Sequence, residues 1–356
     1  MRRRIRLAFA FAMLGGAPVA AQEHQQTQPA WPVLHGFLFG DITFAATERE
    51  ARDGFVIGQL VGHGNLSMSQ RLRLFIEVTA TARPTSYVFE VERAILRYDF
   101  IDAFKLSVGR YHTPVAYWNT AMHHGLWLQT SVARPELVRT GGVFLPNHFI
   151  GALAEGVFHT SIVTFGYDAG IGNGRDSSIG RAGDAGDVNG TRAGVLALRL
   201  RPAWPFGLQV GGSVYLDRVT TTETASADER ITSAHVVWDR GAPELIAEYA
   251  NVRHDPTAGG TATSSDGYYV HAAVRLPGAL SSLKPYARYE RIGIDSADPV
   301  FATVMDNYRA MLLGVRWDFE TLATVKLEGR RERLAGTDWQ NSIYLQLAFV
   351  VPSSGT

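Results

Sequence analysis

Residues 71–83 (RLRLFIEVTATAR) place Leu72, Leu74, Ile76, Val78, Ala80 and Ala82 on one side and Arg71, Arg73, Glu77, Thr79, Thr81 and Arg83 on the other. A strict period of two separates side chains this way only in a β-strand, where successive side chains point to opposite faces. The same alternation runs through 341–351 (Ile343, Leu345, Leu347, Phe349 and Val351 on one side), 309–319 (Met311, Leu313, Val315, Trp317, Phe319) and 207–217 (Leu208, Val210, Val214, Leu216). Each run is close to the 9 to 11 residues with which a tilted strand crosses a bilayer. Soluble strands average about 5 to 6 residues. A soluble β-sandwich or barrel is therefore the weaker reading.

What surrounds these runs narrows the class further. Residues 1–21 carry Arg2, Arg3, Arg4 and Arg6, then the apolar run Leu7 to Leu14, then Val19, Ala20 and Ala21, the pattern of a cleaved secretory signal peptide. Removing those four Arg leaves 30 basic residues against 34 acidic ones, a net charge of −4, which offers nucleic acid no footprint. The chain has no cysteine, which excludes disulfide scaffolds, thiolate metal sites and cysteine nucleophiles together. No later run of eighteen apolar residues occurs, which excludes a helical membrane protein.

Sixteen strand-like runs can be counted, near 34–45, 55–66, 71–83, 87–99, 104–110, 147–157, 162–172, 193–201, 207–217, 231–239, 244–252, 267–276, 283–292, 309–319, 322–333 and 341–351. Because 87–99 and 147–157 alternate poorly, fourteen and eighteen stay open. Connections after even-numbered runs span two to six residues, whereas most of those after odd-numbered runs are longer, as in outer-membrane barrels with short inner turns and long outer loops. Phe100, Trp204, Phe206, Trp238, Trp317 and Phe319 lie beside the short turns, where amphipathic rings mark a membrane interface. The expected organisation is a signal peptide (1–21), a short periplasmic segment (22–33), an all-β transmembrane antiparallel barrel of about sixteen strands (34–351) and a tail (352–356). The third outer connection, 111–146, is the longest, and connections of that length are usually functional or disordered. It holds Val115, Tyr117, Trp118, Leu126, Trp127 and Leu128, apolar groups that need a surface to cover. It is expected to fold into the barrel opening, with Trp118, His123, His124, Trp127, Arg134, Glu136 and Arg139 at a constriction.

Residues 92–114 (ERAILRYDFIDAFKLSVGRYHTP), 286–290 (YARYE), 314–319 (GVRWDF) and 325–330 (VKLEGR) resemble segments of bacterial outer-membrane porins of the phosphate-selective type. The resemblance implies a sixteen-stranded barrel, a trimeric assembly and a third loop that narrows the channel. Lysine occurs only at 105, 284 and 326, so the Lys-rich array of phosphate-selective members is absent.

If the apolar sides face lipid, the inner wall receives Arg71, Arg73, Glu77, Lys284, Arg288, Glu290, Arg316, Asp318, Lys326, Glu328 and Arg330. An Arg or Lys facing lipid at mid-bilayer costs roughly 2–4 kcal/mol, so these charges must meet water or one another. That pattern favours an outer-membrane porin passing small polar or ionic solutes, not an enzyme. The alternatives are a lipase-type barrel enzyme and a sealed structural or adhesive barrel. An energised transporter is disfavoured, since no globular plug precedes residue 34. Chemical motifs are weak. The run 170–174 (GIGNG) lacks the helix a phosphate loop needs. His112, His123 and His124 do not form a metal motif, and Asp184, Asp187 and Asn189 have the wrong spacing for an EF-hand. Ser131 with His148 is a possible but unsupported hydrolase pair. No cofactor or metal is expected; outer-membrane lipid and identical copies of the chain are the expected partners. Since a closed barrel has no free edge, detergent-extracted protein should run faster on gels unheated than boiled. A helical circular dichroism spectrum would overturn the barrel.

Overall fold

The computed structural model describes residues 31–48, 53–122, 125–139, 141–175, 179–180, 183–187, 189–220, 226–240 and 243–353. The expected signal peptide and nearly all of the segment 22–33 lie outside them. Sixteen antiparallel strands follow in chain order: β1 (Val33–Thr47), β2 (Gly54–Ile57 continued by Gln59–Ser67), β3 (Leu72–Arg83), β4 (Ser86–Ile101), β5 (Phe104–His112), β6 (His148–His159), β7 (Val163–Asn173) and β8 (Ala193–Pro202). The second half is β9 (Leu208–Thr220), β10 (Ser226–Asp239), β11 (Glu244–Pro256), β12 (Thr263–Ala273), β13 (Leu283–Gly293), β14 (Tyr308–Glu320), β15 (Ala323–Leu334) and β16 (Gln340–Pro352). Each strand pairs with the next. β1 also pairs with β16, from Phe37 opposite Pro352 to Thr47 opposite Ser342, so the sheet closes on itself.

Two irregularities have local causes. β2 breaks at Gly58, where its register against β1 slips by one residue between Ile42 opposite Ile57 and Phe39 opposite Val61; the Asp41 carboxylate fills the space a side chain would need there, 2.1 Å from a Cβ at Gly58. Asp41 instead accepts the Gln59 backbone N–H at 3.0 Å. In β4 a bulge leaves Glu92 without an opposite residue, since Glu77 faces Arg93 and Val78 faces Val91. Glu92 and Arg93 therefore both turn inward, which is why 87–99 alternates poorly. A bulge of this kind re-aims a side chain at the expense of one ladder position.

The outward side is apolar: Leu313 is 70% exposed, and Leu327, Leu345 and Phe44 stand side by side on β15, β16 and β1. Trp204 (85% exposed), Phe206, Phe100, Trp317 and Phe319 gather near the short turns. At the opposite end of the strands the outward positions are arginines, with Arg291, Arg309 and Arg333 directly opposite one another on β13, β14 and β15. Outward charge is tolerated near a membrane interface and not at mid-depth. The two rims are thus marked by different chemistry.

The connections depart from expectation in two places. β9 and β10 run to Thr220 and from Ser226, taking both flanks of the expected loop 218–230. Val219 and Ala227, the inward residues nearest the connection, are apolar and buried, so the polar inner face on which alternation was judged is missing at both strand ends. The turn after β12 is longer than expected because β12 ends at Ala273.

A one-residue step moves a side chain from one face to the other. Leu345→Arg and Leu196→Arg should each destabilise the barrel by about 2–4 kcal/mol. Ala197→Arg, on the inward side next to Leu196, should assemble normally. The midpoint of the heat-induced gel shift measures both, and equal damage from Leu196→Arg and Ala197→Arg would mean the faces are wrongly assigned.

Candidate functional site

The connection 113–147 between β5 and β6 is bound to side chains of the strands on the far side of the ring. Glu248 of β11 accepts the backbone N–H groups of Tyr117 and, at 2.9 Å, of Trp118. Glu290 of β13 accepts that of Glu136 at 2.6 Å, and Glu328 of β15 that of Val132 at 3.1 Å. Cations bind the carbonyls. Lys326 donates to Leu126 O (2.6 Å) and Ser131 O (2.9 Å), and Arg316 to Trp127 O (2.6 Å) and Gln129 O (2.9 Å). Arg288 donates to Ser131 Oγ (2.8 Å) and Ala133 O (3.0 Å). An irregular segment cannot pair its own backbone, and burying unpaired N–H and C=O groups is costly. The wall charges supply the missing partners.

Apolar contacts reinforce this. Trp118 is fully buried, edge-on to Tyr269 at 5.9 Å and to His271 at 6.1 Å, with the Arg288 guanidinium 5.8 Å from its ring centre. Trp127 packs against Phe39, Val61 and Val350. The connection 294–307 joins the same core, stacking Phe301 on Phe144 at 5.6 Å. Its Asp298 accepts the N–H groups of Val300 and Phe301 and a bond from His254 at 2.9 Å. His254 in turn meets Glu229 at 3.0 Å, and Glu229 meets Arg175 at 3.1 Å. Burial pushes the Asp298 carboxyl up, but His254 and those backbone donors hold it below its ordinary value. Three connections are thereby tied together.

The anticipated wall residues Lys284, Arg288, Glu290, Arg316, Lys326 and Glu328 are all buried. Lys284 reaches Glu244 at 2.5 Å, Arg316 reaches Asp318 at 2.7 Å and Arg330 reaches Glu328 at 2.8 Å. Glu77 holds Arg93 and, at 2.8 Å, His63, whereas Arg73 pairs with Asp99 and Arg71 is exposed beside a short turn. Of the anticipated loop residues, Arg139 is half-exposed and pairs with Glu136 at 2.8 Å. Burial lowers the Arg134 guanidinium to about 10, against the opposing pull of Glu92 and Glu77. His123 and His124 lie outside the described residues.

The facing half of the wall was not anticipated. A cavity of about 360 Å³ between residues 114–121 and β4–β10 is lined by Arg93, Glu155, Asp168, Arg199, Arg201 and His235. A second, of about 370 Å³, shares Tyr117, Arg201 and Gln209 with it and runs to the turn after β8. Tyr117 lines both cavities, and burial, with Asp239 adding to it, pushes its phenol up to about 12. The signal for Arg199 and Arg201 was present in 193–201 (AGVLALRLR), where they alternate with leucines.

The weaker motifs resolve into structure. Residues 170–173 complete β7. Asp184 is held by Arg110 at 2.8 Å, Asp187 faces Arg192 at 3.5 Å and Asn189 bonds to the Arg218 carbonyl. Ser131 is bonded to Arg288 and Ala133 while His148 sits 2.7 Å from Glu92, so each member of the hydrolase pair is engaged elsewhere.

No protein-family model matches the sequence, and no curated protein matches it. Solved structures do match in shape. An anion-selective porin from Comamonas acidovorans superposes with a TM-score of 0.65 at 12% identity, covering 90% of this chain and 100% of that one. OmpT, an outer membrane protein of Vibrio cholerae in trimer form, gives 0.61 at 13% identity over 90% and 99%. The outer membrane channel DcaP of Acinetobacter baumannii gives 0.59 at 10% identity over 90% and 97%. At these identities the likeness speaks for the fold: the chain has the closed sixteen-stranded antiparallel barrel of the outer-membrane porins.

Proposed function

We propose that the protein is a porin of the bacterial outer membrane that lets small polar and ionic solutes diffuse passively and with weak selectivity. In this reading it is exported by a signal peptide cleaved after Ala21, assembles as a homotrimer and performs no catalysis. The connection 113–147 is its constriction. The observation that carries the reading is the division of the inner wall: β11–β16 spend their charges on the backbone of 113–147, while β4–β10 keep theirs along two adjoining cavities. The shapes of known outer-membrane channels, one of them anion-selective, support it.

Basic residues outnumber acidic ones along the first cavity, with Arg93, Arg199 and Arg201 against Glu155 and Asp168. Low-dielectric walls focus such a field, so the channel should lean towards anions. Among the described residues Arg201 donates to the neutral Gln209 (2.6 Å), which makes it replaceable. In planar bilayers the protein should give ohmic single channels, and Arg201→Glu should shift the anion-to-cation permeability ratio by about threefold or more towards cations. No conductance at all would leave the sealed barrel in its place.

Freeing the constriction is a separate test. Lys326→Ala strips Leu126 O and Ser131 O of their donor and leaves Glu328 with less positive charge, at a cost of about 3–5 kcal/mol. Conductance should rise or become noisy, and the gel-shift midpoint should fall. Unchanged conductance with a lowered midpoint would place the segment outside the conduction path.

A further inference from the structure

We propose that Glu92, His112 and His148 form a binding site for a divalent transition-metal ion of the zinc type at the neck of the connection 113–147. His112 is the last residue of β5 and His148 the first of β6, and the ladder sets them directly opposite each other. The two ends of the connection are thus fixed at one cross-strand pair. Their rings are 5.5 Å apart between centroids. Glu92 is the extra residue of the β4 bulge, and without the bulge its carboxylate would not reach this pair. One ligand atom from each of the three residues falls within a group whose members all lie within 4.8 Å of one another.

The donor set selects the ion. Two imidazole nitrogens and one carboxylate oxygen suit zinc, nickel, cobalt or copper, whereas calcium and magnesium want oxygen alone. Bonds of about 2.0–2.2 Å place donors roughly 3.3 Å apart, so the site closes with shifts of about an ångström. His148 Nε2 and Glu92 Oε2 are 2.7 Å apart and would separate slightly. Glu92 and His112 are buried and His148 nearly so, which shields the ion from competing water.

The surrounding charges permit the ion without supplying it. Glu77 Oε2 lies 3.7 Å from His112 Nε2 and is already held by Arg93 and His63. Arg110 Nη1 is 3.9 Å from Glu92, but its guanidinium is taken up by Asp184. Arg134 draws on the charge of Glu92 and Glu77 from within the connection. A dication at Glu92 and the Arg134 guanidinium would repel each other, so loading the site works against Arg134 while clamping the two ends of 113–147.

Metal binding is measurable whether or not the barrel conducts. Untagged full-length protein in detergent, titrated calorimetrically with Zn²⁺, should take up one equivalent. His112→Ala, His148→Ala and Glu92→Gln should each weaken binding at least tenfold, and His123→Ala with His124→Ala should not. Arg134→Gln should tighten it severalfold. Because a neck variant could fail to assemble, Co²⁺ is added to the wild type as well, where a visible absorption band of a histidine-ligated ion is expected. The proposal is overturned if the wild type shows neither saturable Zn²⁺ binding nor that band. It is equally overturned if folded His112→Ala and His148→Ala bind as the wild type does, or if binding disappears with His123 and His124 instead.

Discussion

The constraint on which everything else rests is that hydrocarbon offers no hydrogen-bond partners to a backbone. Each unpaired N–H or C=O at that depth costs several kcal/mol, so a sheet in a membrane must close. Closure here depends on the eleven-residue ladder between β1 and β16, the two strands farthest apart in sequence. Once it forms, no edge remains, and every residue has only two directions in which to point. The apolar outward rows and the charged inner wall are the two halves of that single choice.

The inner wall then faces its own desolvation problem. Lys326, Glu328 and Arg288 are buried as deeply as core residues of a soluble protein. Buried charges of this kind are tolerated only when paired and fully hydrogen-bonded. The connection 113–147 has the complementary difficulty of backbone groups that no regular element satisfies. Each solves the other's problem: carboxylates of β11, β13 and β15 take its N–H groups, and cations of β13, β14 and β15 take its carbonyls. Removing either side leaves the other exposed to the full penalty. The segment is therefore part of the wall energetically, although no ladder includes it.

This coupling explains what could be read in the sequence. All sixteen strands were legible wherever the inner face is polar, as in 71–83 and 309–319, because lipid and charge then alternate cleanly. Legibility failed where the inner face packs against a connection. Phe149 and Leu153 make 147–157 look apolar on both sides, since they are buried against 113–147 and its neighbours. The Glu92 bulge blurred 87–99 in another way, by turning two consecutive residues inward. The pairing of His112 with His148 was invisible in principle, because only the ladder brings two residues flanking so long a connection face to face. The role of 294–307 was hidden similarly, since Phe301 finds Phe144 only after both connections have folded.

An inner wall cannot use one charge twice. A guanidinium that holds a carbonyl of 113–147 is dehydrated and its field is largely cancelled by neighbouring acids, so it has little left with which to sort ions. In the porin reading proposed above, selectivity falls to charges that do not hold this backbone, such as Arg201 of β8, which donates to the neutral Gln209 beside the first cavity. The residues that look most like a filter in the sequence, the dense charges of 284–290, 316–318 and 326–330, are by this logic the ones that hold the connection in place. The sparser charges Arg93, Arg199 and Arg201 line the cavity that remains on the other half of the wall.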